Sequence, residues 1–310
     1  MKKLGSMLLM GVMVMSLAGC GGQEAETKPG AGTDSGTMAA GTSEDGSSKD
    51  TSADDEASDK KEDEKAEEDT AENSQESGGT FTVGFDQDFP PMGFVGDDGE
   101  YTGFDLELAK EVADRLGMEF VPQPIAWDAK DMELNSGTID CIWNGFTMNG
   151  REDDYTWSEP YMDNSQVFVV SADSGISSFA DLAGKIVEVQ ADSSAEAALK
   201  DNEELTGSFG TLQTTPDYNT AFMDLEMGAV DAIAMDVIVA GYQIEQRKDG
   251  SQYVVLEETL ASEEYGIGFK KGNEELRNQV QAVLEEMAAD GTLKSVSDKW
   301  FGRDVTTVGK

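Results

Sequence analysis

Short apolar runs alternate with amphipathic helical segments from residue 81 onward, and this alternation restricts the fold more than any other feature. Runs at 81–85, 118–121 and 139–143 predict buried strands, while 106–116 and 129–135 have the apolar spacing of helices. Alternating strands and helices predict a parallel sheet covered by helices. Residues 80–310 exceed what one core usually holds, so we expect two lobes of α/β structure.

Charge and composition exclude several classes of function. The chain has 63 acidic and 22 basic residues and a formal net charge of −41. Such a field repels nucleic acid, so no nucleic-acid partner is expected. There is no histidine, and neither a phosphate-cradling glycine motif nor a zinc-type cysteine spacing occurs. We therefore expect no catalytic residue, no metal site and no cofactor.

Residues 1–20 predict a secretion signal. Lys2 and Lys3 precede an apolar segment, 4–18, that is short for a membrane span. It ends in Leu-Ala-Gly-Cys20, which resembles the processing site of bacterial lipoproteins, where lipid (diacylglycerol and palmitate) is attached to the cysteine. The alternative is an ordinary signal peptide with an incidental cysteine. The lipoprotein interpretation predicts a chain held on the cell membrane by its N-terminal lipid.

Residues 21–79 predict a disordered acidic linker. They contain 18 acidic residues, 5 basic residues and no aromatic residue. Such a segment buries too little apolar surface to offset its ordering entropy, and its like charges extend it. We expect this segment to act as a spacer that holds the folded part away from the membrane. A thick cell wall is one reason to need such a spacer, so we expect a location on the extracellular face of a single-membrane bacterium.

The segment 139–161 predicts a place for a small anionic group. Its buried strand is expected to break at 144–147 into a polar loop whose backbone groups lose their strand partners. Arg151 follows, in a region (80–310) with 15 basic against 45 acidic residues. A guanidinium beside free amides captures carboxylates. The alternative is that Arg151 only offsets the acids at 152–154.

Polar residues follow several predicted strands. Ligands of open α/β sheets bind beyond the carboxyl ends of strands, and the residues at such ends are Asp86, Thr147, Ser193 and Asp236. Ser193 also opens a predicted helix, either as a plain N-cap or beside exposed amides that bind an anion. Asp105 is predicted to cap the helix at 106–116.

Several blocks together resemble the extracellular solute-binding proteins of bacterial polar-amino-acid ABC transporters (family 3). The blocks are VGFDQDFPPMGF, GEYTGFDLELAKEVADRLG, GFTMNGREDDYTWSEPYM, DLAGKIVEVQ, GAVDAIAMD and YGIGFKKGNEELRNQVQAVLEEMAADGTLKSVSDKWFG. The resemblance covers about residues 81–302. It implies the two-lobed periplasmic-binding-protein-like fold (type II) with two crossing hinge segments. On this pattern lobe 1 comprises 80–163 and 264–310, and lobe 2 comprises 164–263.

The same resemblance implies contacts to the two ends of an amino acid. Arg151 would clamp the α-carboxylate, aided by the amides of Thr147 and Ser194. Asp236 would accept hydrogen bonds from the α-ammonium, together with the Gly145 carbonyl and the Thr147 hydroxyl.

For the ligand side chain, the resemblance implies a second set of contacts. Phe89 and Trp127 would sandwich it, and Asp86 would face its polar end. Gln190 and Ser193 would line the pocket from the second lobe.

Two positions depart from the family pattern. The family usually has four residues between the matching threonine and arginine, and here there are three, so Gly150 would have to allow a tighter turn. Asp192 stands where glycine is more common. With Asp86 and Asp88 it would favour a cationic or hydrogen-bond-donating ligand side chain, or it is solvated surface.

The resemblance implies a monomeric binding protein that delivers a polar or cationic L-amino acid to the permease of an ABC importer. Amide-bearing and cystine-like amino acids fit the same expectation. Three alternatives remain: a secreted dehydratase on this scaffold, with Asp86 or Asp192 as acid or base, a sensory input domain, and a surface adhesion protein.

Overall fold

The computed structural model describes residues 78–310; the predicted signal sequence, Cys20 and the predicted linker up to residue 77 lie outside them. The strands are β1 (Gly78–Phe85), β2 (Asp88–Phe89), β3 (Gly93–Val95), β4 (Tyr101–Thr102), β5 (Met118–Pro124), β6 (Cys141–Thr147), β7 (Thr156–Trp157), β8 (Met162–Ser171), β9 (Ile186–Gln190), β10 (Thr211–Thr215), β11 (Ala232–Asp236), β12 (Tyr253–Val255) and β13 (Ala261–Phe269). The α-helices are α1 (Phe104–Leu116), α2 (Lys130–Ser136), α3 (Ser194–Asp201), α4 (Glu203–Ser208), α5 (Tyr218–Glu226), α6 (Val237–Gln246), α7 (Glu274–Asp290) and α8 (Thr292–Phe301).

Two antiparallel strands, β8 and β13, cross between the halves of one large sheet, whose order is β10-β9-β11-β8-β13-β6-β1-β5. The end of β8 pairs with β11 and β12, whereas the end of β13 pairs with β6 and β7. The fold is therefore α/β with two lobes. We call the half with β1, β5 and β6 the first lobe and the half with β9, β10 and β11 the second lobe; the residue boundaries given above stay a prediction.

The central strands are parallel within each lobe, as the alternation of strands and helices predicts. β1 lies between β5 and β6, and β9 lies between β10 and β11. Since the carboxyl ends of parallel strands meet at one edge of a sheet, the residues at the ends of β1, β6, β9 and β11 gather at the edge of each lobe.

The prediction that the strand breaks into a loop at 144–147 is wrong. β6 continues to Thr147 and all seven of its residues are buried, because Phe146 and Thr147 pair with Gly266 and Tyr265 of β13. The ladder is nevertheless irregular, since the register shifts between Gly266 and Gly268, opposite residues 143–145. The polar residues at 144 and 145 thus mark an interruption of pairing inside a strand.

Periodicity identified the long helices better than the short or fully apolar ones. The helix predicted at 106–116 is α1, which buries Ala109, Val112 and Ala113 on one face. Helix α6 was missed because its sequence, VIVAGYQIEQ, is apolar over most of its first turns and lacks the alternation that marks a surface helix. Within residues 78–310, no helix combines the length and apolarity that crossing a membrane requires.

Candidate functional site

A cavity lies where the strand ends of both lobes meet. Its lining comprises every ligand contact that the resemblance implies except Asp86, together with Asn144: Phe89, Trp127, Asn144, Gly145, Thr147, Arg151, Gln190, Ser193, Ser194 and Asp236. The structure thus brings these residues to one place, while their contact with a ligand stays a prediction.

Arg151 occupies one wall of the cavity. Its Nη1 donates to the Thr147 carbonyl and its Nη2 to the Asp192 carbonyl, both at 3.3 Å. The guanidinium lies 5.2 Å from the ring centroid of Phe146. Within residues 78–310 it makes no salt bridge. Arg151 therefore forms no ion pair with the acids at 152–154.

The turn before Arg151 is tight, and glycine permits it. The Arg151 amide donates to the Met148 carbonyl at 2.9 Å, and Gly150 has a φ of 79°. This left-handed conformation is open to glycine at little cost. The shortened spacing after Thr147 is accommodated at this residue, and Arg151 still lines the cavity.

Asp236 forms the opposite, acidic part of the lining. It ends β11 in the second lobe and its exposed fraction is 3%. Its Oδ1 accepts hydrogen bonds from Asn164 Nδ2 and Gln166 Nε2 at 2.8 Å and from the Tyr265 hydroxyl at 2.5 Å. No described group donates to Oδ2. Arg151 and Asp236 therefore face one cavity from different lobes.

Ser193 and Ser194 contribute the start of a helix. Ser193 is the N-cap of α3, and its Oγ accepts from the Glu196 amide at 3.1 Å. Ser194 is the first residue of α3, so its amide has no partner within the helix. The plain N-cap interpretation is thus correct for Ser193, and the cavity still receives a helix N-terminus, which favours an anion.

Asp105 supports the cavity wall, and sequence reasoning assigned it wrongly. It does not cap α1, which begins at Phe104 after Gly103 without a side-chain cap. Its carboxylate is fully buried and accepts from the Gly145 amide at 2.6 Å and from the Tyr161 hydroxyl at 2.9 Å. Burial raises the pKa of Asp105 to about 7. Asp105 therefore holds the interrupted part of β6 in position.

Gly145 needs to be glycine. Its φ is 56°, and a Cβ at this position would lie 3.1 Å from the rings of Phe89 and Tyr265. Its neighbour Asn144 was missed, although it lines the cavity. Asn144 Oδ1 accepts from the Asp86 amide at 2.9 Å, and its buried Nδ2 has no partner within the described residues. An unpaired buried donor beside a cavity suits a ligand that accepts a hydrogen bond.

Asp86 is separated from the cavity by Gln190. Gln190 Nε2 donates to Asp86 Oδ2 at 2.6 Å, so this bond joins the two lobes. Asp86 lines a second cleft, which shares Trp127 with the first cavity and whose acidic residues are Asp86, Asp88, Asp128 and Asp217. Burial is the main cause that raises the pKa of Asp86 to about 6. Asp86 thus lies in an acidic environment next to the cavity, one side chain beyond the predicted contact.

Asp192 joins the lobes. Its carboxylate accepts a hydrogen bond from Lys130 Nζ, and its carbonyl accepts from Lys130 Nζ and from Arg151 Nη2, each at 3.3 Å. Lys130 belongs to α2 of the first lobe, is 2% exposed, and lies 5.2 Å from the ring centroid of Trp127. Burial lowers the pKa of Lys130, and the bond to Asp192 opposes this. The Asp192 side chain is 53% exposed, as the surface interpretation expects, and it does not line the cavity, but its contact with Lys130 joins the two lobes beside Trp127.

Residues 81–303 match the model of the bacterial extracellular solute-binding proteins, family 3. The chain belongs to this family. It is 35% identical to the L-cystine-binding protein TcyJ of Escherichia coli K12 over 237 residues, which cover 76% of this chain and 87% of that protein.

Solved structures of similar proteins have the same two-lobed fold as this solute-binding protein. A substrate-binding protein of an ABC uptake transporter from Streptococcus pneumoniae, with bound histidine, has a TM-score of 0.72 and 36% identity, covering 74% of this chain and 94% of that chain. Tv2483 bound to L-arginine has a TM-score of 0.71 and 28% identity, with the same coverage. These relatives are binding proteins, so the expectation of a solute-binding protein is confirmed.

Proposed function

We propose that the chain captures a free L-amino acid between its lobes and, as a monomer, delivers it to the membrane permease of an ABC importer. The observation that carries this proposal is the pairing of Arg151 and Asp236 in one cavity. A guanidinium from the first lobe matches an α-carboxylate, and a carboxylate from the second lobe matches an α-ammonium. Relatives named for binding cystine, histidine and arginine support an amino acid as the ligand.

The acidic cleft beside the cavity favours a ligand side chain that ends in a cation or a hydrogen-bond donor. Phe89 and Trp127 provide apolar walls for the middle of such a side chain. Beyond them, Asp86, Asp88 and Asp217 line the acidic second cleft, into which the distal end of a long side chain would extend, and burial raises the pKa of Asp86 and of Asp88. A cation would lower the cost of ionising these acids, whereas a carboxylate would raise it.

We expect cationic amino acids to stabilise the purified protein most. The panel comprises L-arginine, L-lysine, L-histidine, L-glutamine, L-cystine and L-glutamate, each added in thermal-shift measurements. A ligand at a hundred times its Kd adds about 2.7 kcal/mol, or about 5–10 °C in a domain of this size. L-Glutamate should give no shift.

The variant Asp86→Asn serves as the internal control for this panel. It should reduce the preference for arginine over glutamine without abolishing amino-acid binding. If no amino acid stabilised the wild-type protein, the proposed function would be contradicted.

We also propose that Cys20 carries lipid and holds the protein on the extracellular face of the cell membrane, with residues 21–79 as a spacer. The Leu-Ala-Gly-Cys20 sequence and the acidic composition of the spacer support this. We expect Cys20→Ser to move the protein from the membrane fraction of producing cells into the medium. Retention of this variant on the membrane would contradict the anchor. Deletion of residues 25–75 should leave ligand affinity unchanged.

A further inference from the structure

A second carboxylate lies next to Asp236. Glu263, on the crossing strand β13, has an exposed fraction of 5%, against 3% for Asp236. Asn164 Nδ2 donates to Asp236 Oδ1 at 2.8 Å and to Glu263 Oε1 at 2.6 Å. Gln166 Nε2 donates to the same two oxygens at 2.8 and 2.7 Å. The two acids share both donors, so their oxygens are close neighbours.

The groups that bond to this pair supply no positive charge, although Arg151 and Lys200 line a cleft that Glu263 also lines. Tyr265 of β13 donates its hydroxyl to Asp236 at 2.5 Å, and Tyr218 of α5 is buried nearby with a hydroxyl that lacks a partner. Asn164 and Gln166 of β8 are neutral amides. Among the described residues neither acid forms a salt bridge.

The charged side chains across the cavity do not neutralise the Asp236–Glu263 pair either. Arg151 faces the cavity from the other lobe, where it is bonded to two carbonyls. Asp86 lies beyond Gln190 and adds further negative charge. Two adjacent buried carboxylates without a cation rarely both ionise, because each charge is desolvated and repels the other.

Resting on the proposed function, we propose that Glu263 is a positioning residue for the ligand's ammonium group: in the empty cavity the Asp236–Glu263 pair holds one proton, and the arriving α-ammonium expels it. The O–H bond of the acid breaks, the proton passes to solvent, and the ammonium takes its place beside Asp236 Oδ2. No bond to the ligand nitrogen forms or breaks. Burial, and after it the charge of Glu263, raises the pKa of Asp236, in agreement with this arrangement.

The consequence is an affinity that depends on pH. Ligand binding that releases a proton becomes stronger as the pH rises toward the pKa of Asp236 in the empty protein, by up to about tenfold per pH unit. Glu263→Gln keeps the acceptor oxygen for Asn164 and Gln166 but removes the like charge. In this variant Asp236 ionises at lower pH. Fewer protons are therefore released per bound ligand near neutral pH, and the ligand affinity depends less on pH.

Proton release is measured by isothermal titration calorimetry of the whole protein with L-arginine at about pH 6 and about pH 7, in buffers of different ionisation enthalpy. L-Arginine itself does not titrate between these values. If the panel shows no arginine binding, L-glutamine takes its place. Glu264→Gln is the matched control, since Glu264 is the next residue of β13 and is exposed. Any contribution from Asp86 is common to all three proteins and cancels in the comparison.

We expect the wild type and Glu264→Gln to release up to about one proton per ligand, and Glu263→Gln to release clearly less with equal or tighter binding at about pH 6. A second measurement needs no variant: 5-guanidinopentanoate, which is arginine without its α-ammonium, should release less proton from the wild type than L-arginine does. Binding of amino acids without this difference would overturn the inference and leave the proposed function intact. Failure of every amino acid to bind would overturn both.

Discussion

Replacing Arg151 with alanine is expected to weaken amino-acid binding at least tenfold. The variant leaves the ligand carboxylate in the closed cavity without its charged partner, and such a loss costs about 2–5 kcal/mol. A micromolar ligand binds with about −8.2 kcal/mol, so most of the measurable affinity would be lost. Calorimetry with the best amino acid of the panel measures the effect.

Two further arginine variants make this result specific. Arg151→Lys keeps the charge but loses the planar fork of donors, so it should recover only part of the affinity. Arg303→Ala removes an exposed arginine outside the cavity and should bind like the wild type. Wild-type affinity in Arg151→Ala would remove the carboxylate contact from the proposal.

Replacing Asp236 with alanine is the second change with a large expected effect, again at least tenfold, because the α-ammonium would lose its carboxylate. Asp236→Asn tests the charge separately. It has nearly the same volume and keeps an oxygen for Asn164, Gln166 and Tyr265, yet it carries no charge. We therefore expect this variant to fold and to bind as poorly as the alanine variant.

The variant Asp236→Asn should lose ligand affinity, but without ligand it should be more stable than the wild type at high pH. The pKa of Asp236 is raised in the folded state, so the folded protein holds a proton that the unfolded chain releases above about pH 4. This contribution is fully present below the unfolded pKa and is lost as the pH rises toward the folded one. Asp236→Asn removes that loss, so its melting temperature should exceed that of the wild type near pH 8, with the difference shrinking toward pH 4.

Asp163→Asn is the matched control, because Asp163 is an exposed acid on the crossing strand β8. It should change neither ligand binding nor the pH dependence of the melting temperature. An Asp236→Asn protein that bound amino acids normally would contradict the ammonium site, and a lower melting temperature at high pH would contradict the account of its buried charge.

Much of the site could be anticipated because polar residues at strand ends are visible in the chain. Thr147 and Asp236 are the last residues of β6 and β11, and Ser193 caps α3. A parallel sheet collects such ends at one edge regardless of the detailed packing. The resemblance then placed Phe89 and Trp127, whose role no local pattern reveals.

Other parts of the site depend on residues far apart in the chain. Asp105 fits a helix cap by local rules, but its carboxylate binds the Gly145 amide forty residues later. Lys130 and Asp192 lie in different lobes, and only the approach of those lobes makes them a pair. Glu263 occupies an unremarkable position in a strand until β8 brings Asn164 and Gln166 beside it.

By itself the sequence determined the α/β class, the acidic segment before the folded part, and the residue types that line the cavity, because periodicity, composition and strand ends are local properties of a chain. The tertiary structure decided which charges face each other. It closed β6 against β13 where a loop was expected, paired Asp192 with Lys130, placed Gln190 between Asp86 and the cavity, and buried Glu263 next to Asp236. The physical reason is that the cost of a buried charge depends on its neighbours in space, and sequence distance does not specify them.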